Sequence, residues 1–313
     1  MNKLIDPHGR SIHKLRLSLL DACNFRCLYC MPEKVEFMPS DKFMDKFEIF
    51  NVTKTLVDYG IDEIRLTGGE PALRTDFLEI VKLLSKLPLK KLGLTSNGVR
   101  LKKFLPDLKK SNLLNINFSL DSLNRKTFKT ISRSDSLEQV LESIFLAKEL
   151  GFNVKINTVV MKGLNDHEIE DFIEFSGKYG IEVRFLEVMK IGVMVPMFER
   201  YFISADQLMA QIKTKWIPKT IPVPVDSTSY NYTISNGAKI GFIASESKPF
   251  CHGCSRLRMG PDGSIFPCLM IDKGFSLRGK NREEIGEALI KTMGLKPTYR
   301  IDEMVKPMYQ IGG

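Results

Sequence analysis

Six apolar, strand-like runs alternate with amphipathic helical stretches through the first two-thirds of this chain, and that alternation restricts its fold more than any other feature. The runs are Leu15 to Leu20, Ile61 to Thr67, Lys91 to Thr95, Leu114 to Leu120, Val154 to Val160 and Glu182 to Val188. Helical patterns lie between them, among them Phe47 to Tyr59, Asp76 to Ser85 and Leu137 to Leu150. A helix between two strands lets each strand start parallel to the last, through a right-handed crossover. Six such units predict an α/β fold, an incomplete (β/α)6 version of the eight-fold βα barrel, open along one side. With 313 residues, 43% of them hydrophobic, the chain can bury that core and carry an elaboration. Near residue 190 the pattern changes. A Pro/Met-rich stretch leads to a helix near Ala205 to Thr214, strands near Asn231 to Ile234 and Lys239 to Ala244, and a helix over 281 to 292. This divides the chain into a barrel, 1–190, and an extension, 191–313, expected to cover the open side.

In parallel βα barrels functional groups gather at the C-terminal ends of the strands. The polar oddities of this sequence fall there: a cysteine loop after the first strand, Gly68-Gly69-Glu70-Pro71 after the second, Thr95-Ser96-Asn97-Gly98, Ser119-Leu120-Asp121, Met161-Lys162-Gly163 and Met189-Lys190. Each alone is ordinary turn chemistry. Six on one rim point to a shared cavity.

The six cysteines form two triads. Cys23, Cys27 and Cys30 are spaced C-x3-C-x2-C, and Cys251, Cys254 and Cys268 are spaced C-x2-C-x13-C. Three thiolates on a four-iron cluster leave one iron open to a ligand. Zinc, unrelated buried thiols and disulfides are the alternatives, and Cys251 with Cys254 alone fits zinc equally well. No apolar signal segment opens the chain and no run reaches transmembrane length, so the expectation is a reducing cytoplasm and no membrane partner. There, cysteine clusters usually mean metal or catalysis, and two three-thiol sets suit two open-sided clusters. The net charge of +9 suggests an anionic partner, either phosphates or nucleic acid. Nucleic acid is disfavoured, because no aromatic-rich basic stripe offers a stacking surface.

Glycines let backbone approach a ligand closely, and Glu70 can accept hydrogen bonds from an amine. C-x3-C-x2-C followed by Gly-Gly-Glu-Pro resembles the radical S-adenosylmethionine (SAM) enzymes, in which the open iron binds the methionine moiety. Other segments resemble the GTP 3′,8-cyclases of molybdenum cofactor biosynthesis: Leu15-Arg16-Leu17-Ser18, Ile64 to Pro71, Asn117 to Asp121, Lys162 to Asp166 and Arg184 to Met189. So do Phe250 to Arg258 with Cys268 beyond, and the ending Met308 to Gly313. The resemblance implies a radical SAM type of TIM-like partial barrel with one [4Fe-4S] cluster on Cys23, Cys27 and Cys30. It also implies an extension with a second [4Fe-4S] cluster on Cys251, Cys254 and Cys268, whose open iron engages guanine. Tyr29, Gly68, Gly69, Glu70, Ser119 and Met189 would contact SAM. Arg16, Arg65, Thr95, Lys162, Arg256, Leu257 and Arg258 would bind GTP, with Arg16, Arg256, Arg258 and the tail Gly312-Gly313 supporting catalysis.

The implied reaction starts when a 5′-deoxyadenosyl radical removes the 3′ hydrogen of GTP. The C3′ radical attacks C8, and one electron and one proton complete 3′,8-cyclo-7,8-dihydro-GTP. The same resemblance implies a reductant such as flavodoxin or ferredoxin and a downstream cyclic pyranopterin monophosphate synthase; a homodimer is compatible with the sequence. The chain departs from the family at Glu63, where a basic residue is common, and a carboxylate there would repel a triphosphate unless turned away or paired. Two other readings stay open from the residues: a radical SAM peptide modifier, and a non-catalytic iron–sulfur regulator of nucleic acid.

Overall fold

The computed structural model describes residues 4–311. All six expected strands form: β1 (Lys14–Ser18), β2 (Glu63–Thr67), β3 (Lys91–Ser96), β4 (Leu113–Ser119), β5 (Asn153–Val160) and β6 (Glu182–Glu187). They lie side by side in chain order, each parallel to the next. The extension joins the sheet at both edges. Its strand β7 (Lys239–Ile243) pairs in parallel with β6, and β8 (Arg256–Met259) pairs in parallel with β1. Eight parallel strands therefore run in the order β8-β1-β2-β3-β4-β5-β6-β7. Antiparallel strands continue each edge: Ser264–Phe266 and Phe275–Ser276 beyond β8, Tyr230–Thr233 and Lys219–Ile221 beyond β7. Among the described residues the two outermost strands do not pair, so the barrel stays open.

Helices Lys46–Asp58, Phe77–Leu84, Leu137–Glu149 and Ile169–Tyr179 return the chain between strands. The first begins at Asp45, whose side chain accepts from Phe47 N and Glu48 N while Glu48 bonds back to the cap. Along each strand alternate residues point to opposite faces. Leu15, Leu17, Ile64, Leu66, Ile156 and Phe185 share one buried core with helical Ile49, Phe77, Ile80, Val140, Ile144 and Phe172. The other face carries Lys14, Arg16, Glu63, Arg65, Thr95, Lys155, Asn157, Glu182 and Arg184, all half-buried. Arg184 on β6 is near enough to Arg65, four strands away on β2, to act on its charge, so the sheet curls around a lumen. Most βα barrels fill that space with branched apolar side chains. This one lines it with charge.

Candidate active site

The first triad occupies the loop beyond the C-terminal end of β1. Its backbone is pinned to the end of helix Arg125–Ser132, with Arg26 N donating to Ser132 O at 3.0 Å and Leu28 N to Ile131 O at 2.9 Å. Cys23 Sγ accepts from Phe25 N at 3.4 Å and Asn97 Nδ2 at 3.7 Å. Burial pushes the Cys23 thiol up to about 11 and Cys30 up to about 12, and it raises Cys27 well above its ordinary value. The charge of Asp121 adds to the rise at Cys27 and Cys30.

Gly68-Gly69-Glu70 docks directly on this loop. Gly69 N donates to Leu20 O at 2.7 Å and Glu70 N to Ala22 O at 2.9 Å. A Cβ on Gly69 would collide with the Ala22 carbonyl, and Gly68 holds a φ of +151° that L side chains rarely adopt. Glu70 is 1% exposed, and its carboxylate accepts from Ala72 N at 3.0 Å, Ser96 Oγ at 2.8 Å and Asn97 N at 2.6 Å. Its side chain thus fastens the β2 loop to the end of β3, a use not evident from sequence. Tyr29 Oη donates to Asp121 Oδ2 at 2.8 Å, and Ser119 ends β4 on the lumen face. Met189 belongs to an apolar cluster that also holds Ile191, Met270, Met304 and Cys268.

The second triad lies at the opposite, N-terminal end of the neighbouring strand β8. Cys251 to Gly253 form a tight turn with Cys254 N bonded to Cys251 O at 3.2 Å, and Cys268 follows the strand antiparallel to β8. Cys254 Sγ accepts from Arg256 Nη2 and Lys296 Nζ, both at 3.3 Å, and Cys268 Sγ accepts from Met270 N at 3.4 Å. Burial would raise Cys254, but the positive charges of Arg256 and Lys296 bring it down to about 7.

Between the triads runs a ladder of arginines. Register sets Arg258 beside Arg16 and Arg16 beside Arg65, with Arg256 two residues below. Burial and the neighbouring cations lower Arg16, and Arg65 falls to about 10 through burial and the charge of Arg184. Such crowding of like charge is unfavourable until an anion joins it. Further along the wall Glu182 splits its carboxylate between Arg184 Nε at 2.6 Å and Lys155 Nζ at 2.5 Å. Thr95 Oγ1 and Asn157 Oδ1 are buried on the lumen side with no hydrogen-bond partner among the described residues, as expected of groups waiting for a ligand.

Of the expected GTP contacts, Arg16, Arg65, Thr95, Arg256 and Arg258 line this lumen. Leu257 lies on the outer face of β8, fully buried in the core, and Lys162 is exposed on the rim. The lysine that enters the lumen is Lys155, on β5, whose Nζ pairs with Glu182. Gly312 and Gly313 lie outside the described residues. Their neighbour Tyr309 is 4% exposed, and its backbone N–H bonds to Cys30.

All six cysteines are free. Among the described residues, the one set of three metal-ligating side chains with donor atoms within 4.8 Å of one another is His13, Asp62 and Glu63. Neither cysteine triad is that tight. A single tetrahedral zinc, with Zn–S near 2.3 Å, would draw its sulfurs to about 3.8 Å from one another. Ligands that each hold a different iron of one cluster stand further apart, and an all-thiol donor set is the kind such clusters take.

The comparisons agree. The Radical SAM superfamily profile matches residues 17–176, and Molybdenum Cofactor Synthesis C matches 181–300. The GTP 3′,8-cyclase of Synechocystis sp. is 44% identical over 310 residues, covering 99% of this chain and 95% of that protein. That of Aquifex aeolicus is 41% identical over 279 residues, 88% of this chain and 87% of that one. Among solved structures, Streptococcus suis SuiB bound to S-adenosylmethionine matches with a TM-score of 0.67 at 13% identity, covering 92% of this chain and 69% of that one. At that identity the likeness speaks for the fold alone. The chain belongs to the GTP 3′,8-cyclase family of the radical SAM superfamily.

Proposed function

We propose that GTP lies in the lumen between the two triads, with its triphosphate on the arginine ladder and its guanine toward Cys251, Cys254 and Cys268. The ladder itself carries this reading: Arg256, Arg258, Arg16 and Arg65 stand in register on three adjacent strands, between two three-thiol sets at opposite strand ends. Triphosphates are held by such charge-assisted hydrogen bonds, and arginine donates in a planar fork. Arg184 and Lys155 extend the cationic wall. Thr95 and Asn157 offer their unpartnered oxygens to ribose or base.

Cys23, Cys27 and Cys30 would hold one [4Fe-4S] cluster and Cys251, Cys254 and Cys268 the other. When bound, the first cluster and SAM supply the 5′-deoxyadenosyl radical that removes the ribose 3′ hydrogen. Tyr29, Gly68, Gly69, Ser119 and Met189 would seat SAM on the rim, and Glu70 keeps one acceptor position for its amine. Arg16, Arg256 and Arg258 would orient the ribose and triphosphate so that C3′ meets C8. Leu257 would contribute through its backbone, and Lys162 from the rim. Gly312-Gly313 would support catalysis. In this reading 1–190 cleaves SAM and 191–313 presents the nucleotide. An external one-electron reductant such as flavodoxin or ferredoxin, a cyclic pyranopterin monophosphate synthase downstream and a cytoplasmic setting complete it. No helix among the described residues is long and apolar enough to cross a membrane.

The test is an anaerobic assay of reconstituted protein with SAM, a strong reductant and GTP. The expected result is about eight irons per chain, GTP-dependent 5′-deoxyadenosine, and a cyclised product isomeric with GTP. SAM cleavage with GTP left intact would move the substrate elsewhere.

A further inference from the structure

Lys296 is 2% exposed, and its ammonium donates to three acceptors: the Arg256 carbonyl at 2.6 Å, the Pro267 carbonyl at 2.9 Å and Cys254 Sγ at 3.3 Å. No carboxylate pairs with it among the described residues. A buried ammonium is costly unless it meets negative charge, and the anions that can face this one are the thiolates of Cys254 and Cys268. Its three acceptors come from three parts of the second site: the Cys251–Cys254 turn, strand β8, and the residue before Cys268.

A second buried cation holds Lys296 in turn. Arg10 donates through Nη1 to Cys251 O and Pro297 O, both at 2.7 Å, and through Nη2 to Lys296 O at 3.1 Å. Arg10 is itself fixed by Asp6, Nε to Oδ2 at 2.6 Å. The ammonium therefore has little freedom to swing away. At the first triad the one nearby cation acting on Cys23, Arg26, bonds backbone carbonyls; the donors to Cys23 Sγ among the described residues are a backbone N–H and an amide, and the nearby charges also include Asp121 and Glu70.

We infer that Lys296 is a positioning residue and fixed countercharge for the second triad, holding Cys254 between the two ligand loops and raising the reduction potential of the cluster bound there. The inference rests on the reading that this triad carries an iron–sulfur cluster. A fixed positive charge beside the cluster favours its reduced, more negative form, and hydrogen bonds to ligand sulfurs act in the same direction.

The test uses the full chain carrying Cys23→Ala, Cys27→Ala and Cys30→Ala, so that iron loads only at the second site. Iron is counted, and the midpoint potential is measured by redox titration with EPR. Lys296→Met should shift the midpoint to more negative values at unchanged iron content, and Lys296→Arg should restore most of the shift. An unchanged midpoint in a fully loaded Lys296→Met protein would overturn the inference. If Lys296→Met fails to fold or load, the unsubstituted lysine decides. With its side-chain nitrogen labelled with 15N, pulsed EPR of the reduced cluster should show a coupled 15N nucleus, and absence of that coupling would overturn it. A Lys296-containing parent that loads no iron would remove the cluster reading itself, and this inference with it.

Discussion

The two cysteine triads share a ligand count and a fold, yet their surroundings are opposite. Cys23, Cys27 and Cys30 sit among apolar groups and carboxylates, and burial, reinforced by the charges of Asp121 and Glu70, holds their thiols far above neutrality. Cys254 is as sheltered, yet Arg256 and Lys296 bring it down to about 7. The difference follows from strand ends. The first triad takes the C-terminal rim, where the chain supplies Glu70, Asp121 and backbone donors. The second takes the N-terminal end of β8, where the arginine ladder begins. A site that cleaves a cationic sulfonium cofactor gains from nearby carboxylates, and a site that receives a polyanion gains from cations. On the proposed reading, one barrel separates the two demands along its axis.

The sharpest way to break this comparison is to remove one triad at a time. Cys27→Ala should abolish SAM cleavage, and Cys254→Ala should keep some GTP-independent cleavage while cyclised product falls below detection. Each should lower iron from about eight to about four per chain. Equal loss of SAM cleavage in both variants would mean that the triads do not divide the work. Gly69→Ala should behave like the first, since the new methyl meets the Ala22 carbonyl and pushes the cysteine loop away.

The ladder should respond less steeply. Arg65→Met removes one charge-assisted partner, about 1.5–3 kcal/mol, so the KM for GTP should rise roughly 10- to 150-fold with SAM binding unchanged. Glu63 tests the same wall from the other sign. Register places it between Lys14 on β1 and Lys91 on β3, within the ring of cations that includes Arg65. The expected repulsion of triphosphate is therefore blunted by neighbours on both sides. At an effective dielectric near 20, one charge about 10 Å from a phosphate is worth roughly 1–2 kcal/mol. Glu63→Gln should accordingly tighten GTP binding about tenfold, and Lys91→Gln should weaken it by a similar factor. Titration calorimetry against GTP, GDP and GMP would show whether the effect grows with phosphate count.

Much of this arrangement was legible before any coordinates. Both triads, the Gly-Gly-Glu loop and six strands follow from spacing and alternation, because a strand of the Lys-Leu-Arg-Leu-Ser kind can bury only one face. Three features were not. Arg256–Met259 is too short and too near the cysteines to read as a strand, so its parallel place beside β1 emerges only from pairing across the sheet. Lys155 and Lys162 compete for one role, and only the phase of β5 shows that Lys155 enters the lumen. Lys296 looks like an ordinary lysine after a helix, in Gly-Leu-Lys-Pro. Its burial depends on segments 40 residues behind it in sequence and on Arg10, 286 residues away.

The smallest expected effect separates how the two triads are held. The first is anchored by backbone hydrogen bonds in the core, while the second leans on a half-exposed ionic knot. Asp226 accepts from Ser255 Oγ at 2.8 Å, lies 3.0 Å from His13 Nε2 and pairs with Lys14 Nζ at 2.5 Å; the preceding Val225 carbonyl abuts Gly253. Burial would raise Asp226, but hydrogen bonds from Lys14, Ser255 and His13 and the charge of Lys14 hold it well below the usual carboxylate range. A depressed folded-state pKa means that the carboxylate stabilises the fold fully above its unfolded value, about 3.9, and less as pH falls through the folded one. Asp226→Asn should therefore cost about 1–2 kcal/mol at pH 7, read as a lower urea midpoint, and the gap from the parent should close below about pH 4. The same variant should speed proteolysis within 218–229 and loss of iron from the second triad, while iron at the first is retained. Equal loss from both triads would mean that they unfold as one unit, whatever their electrostatics.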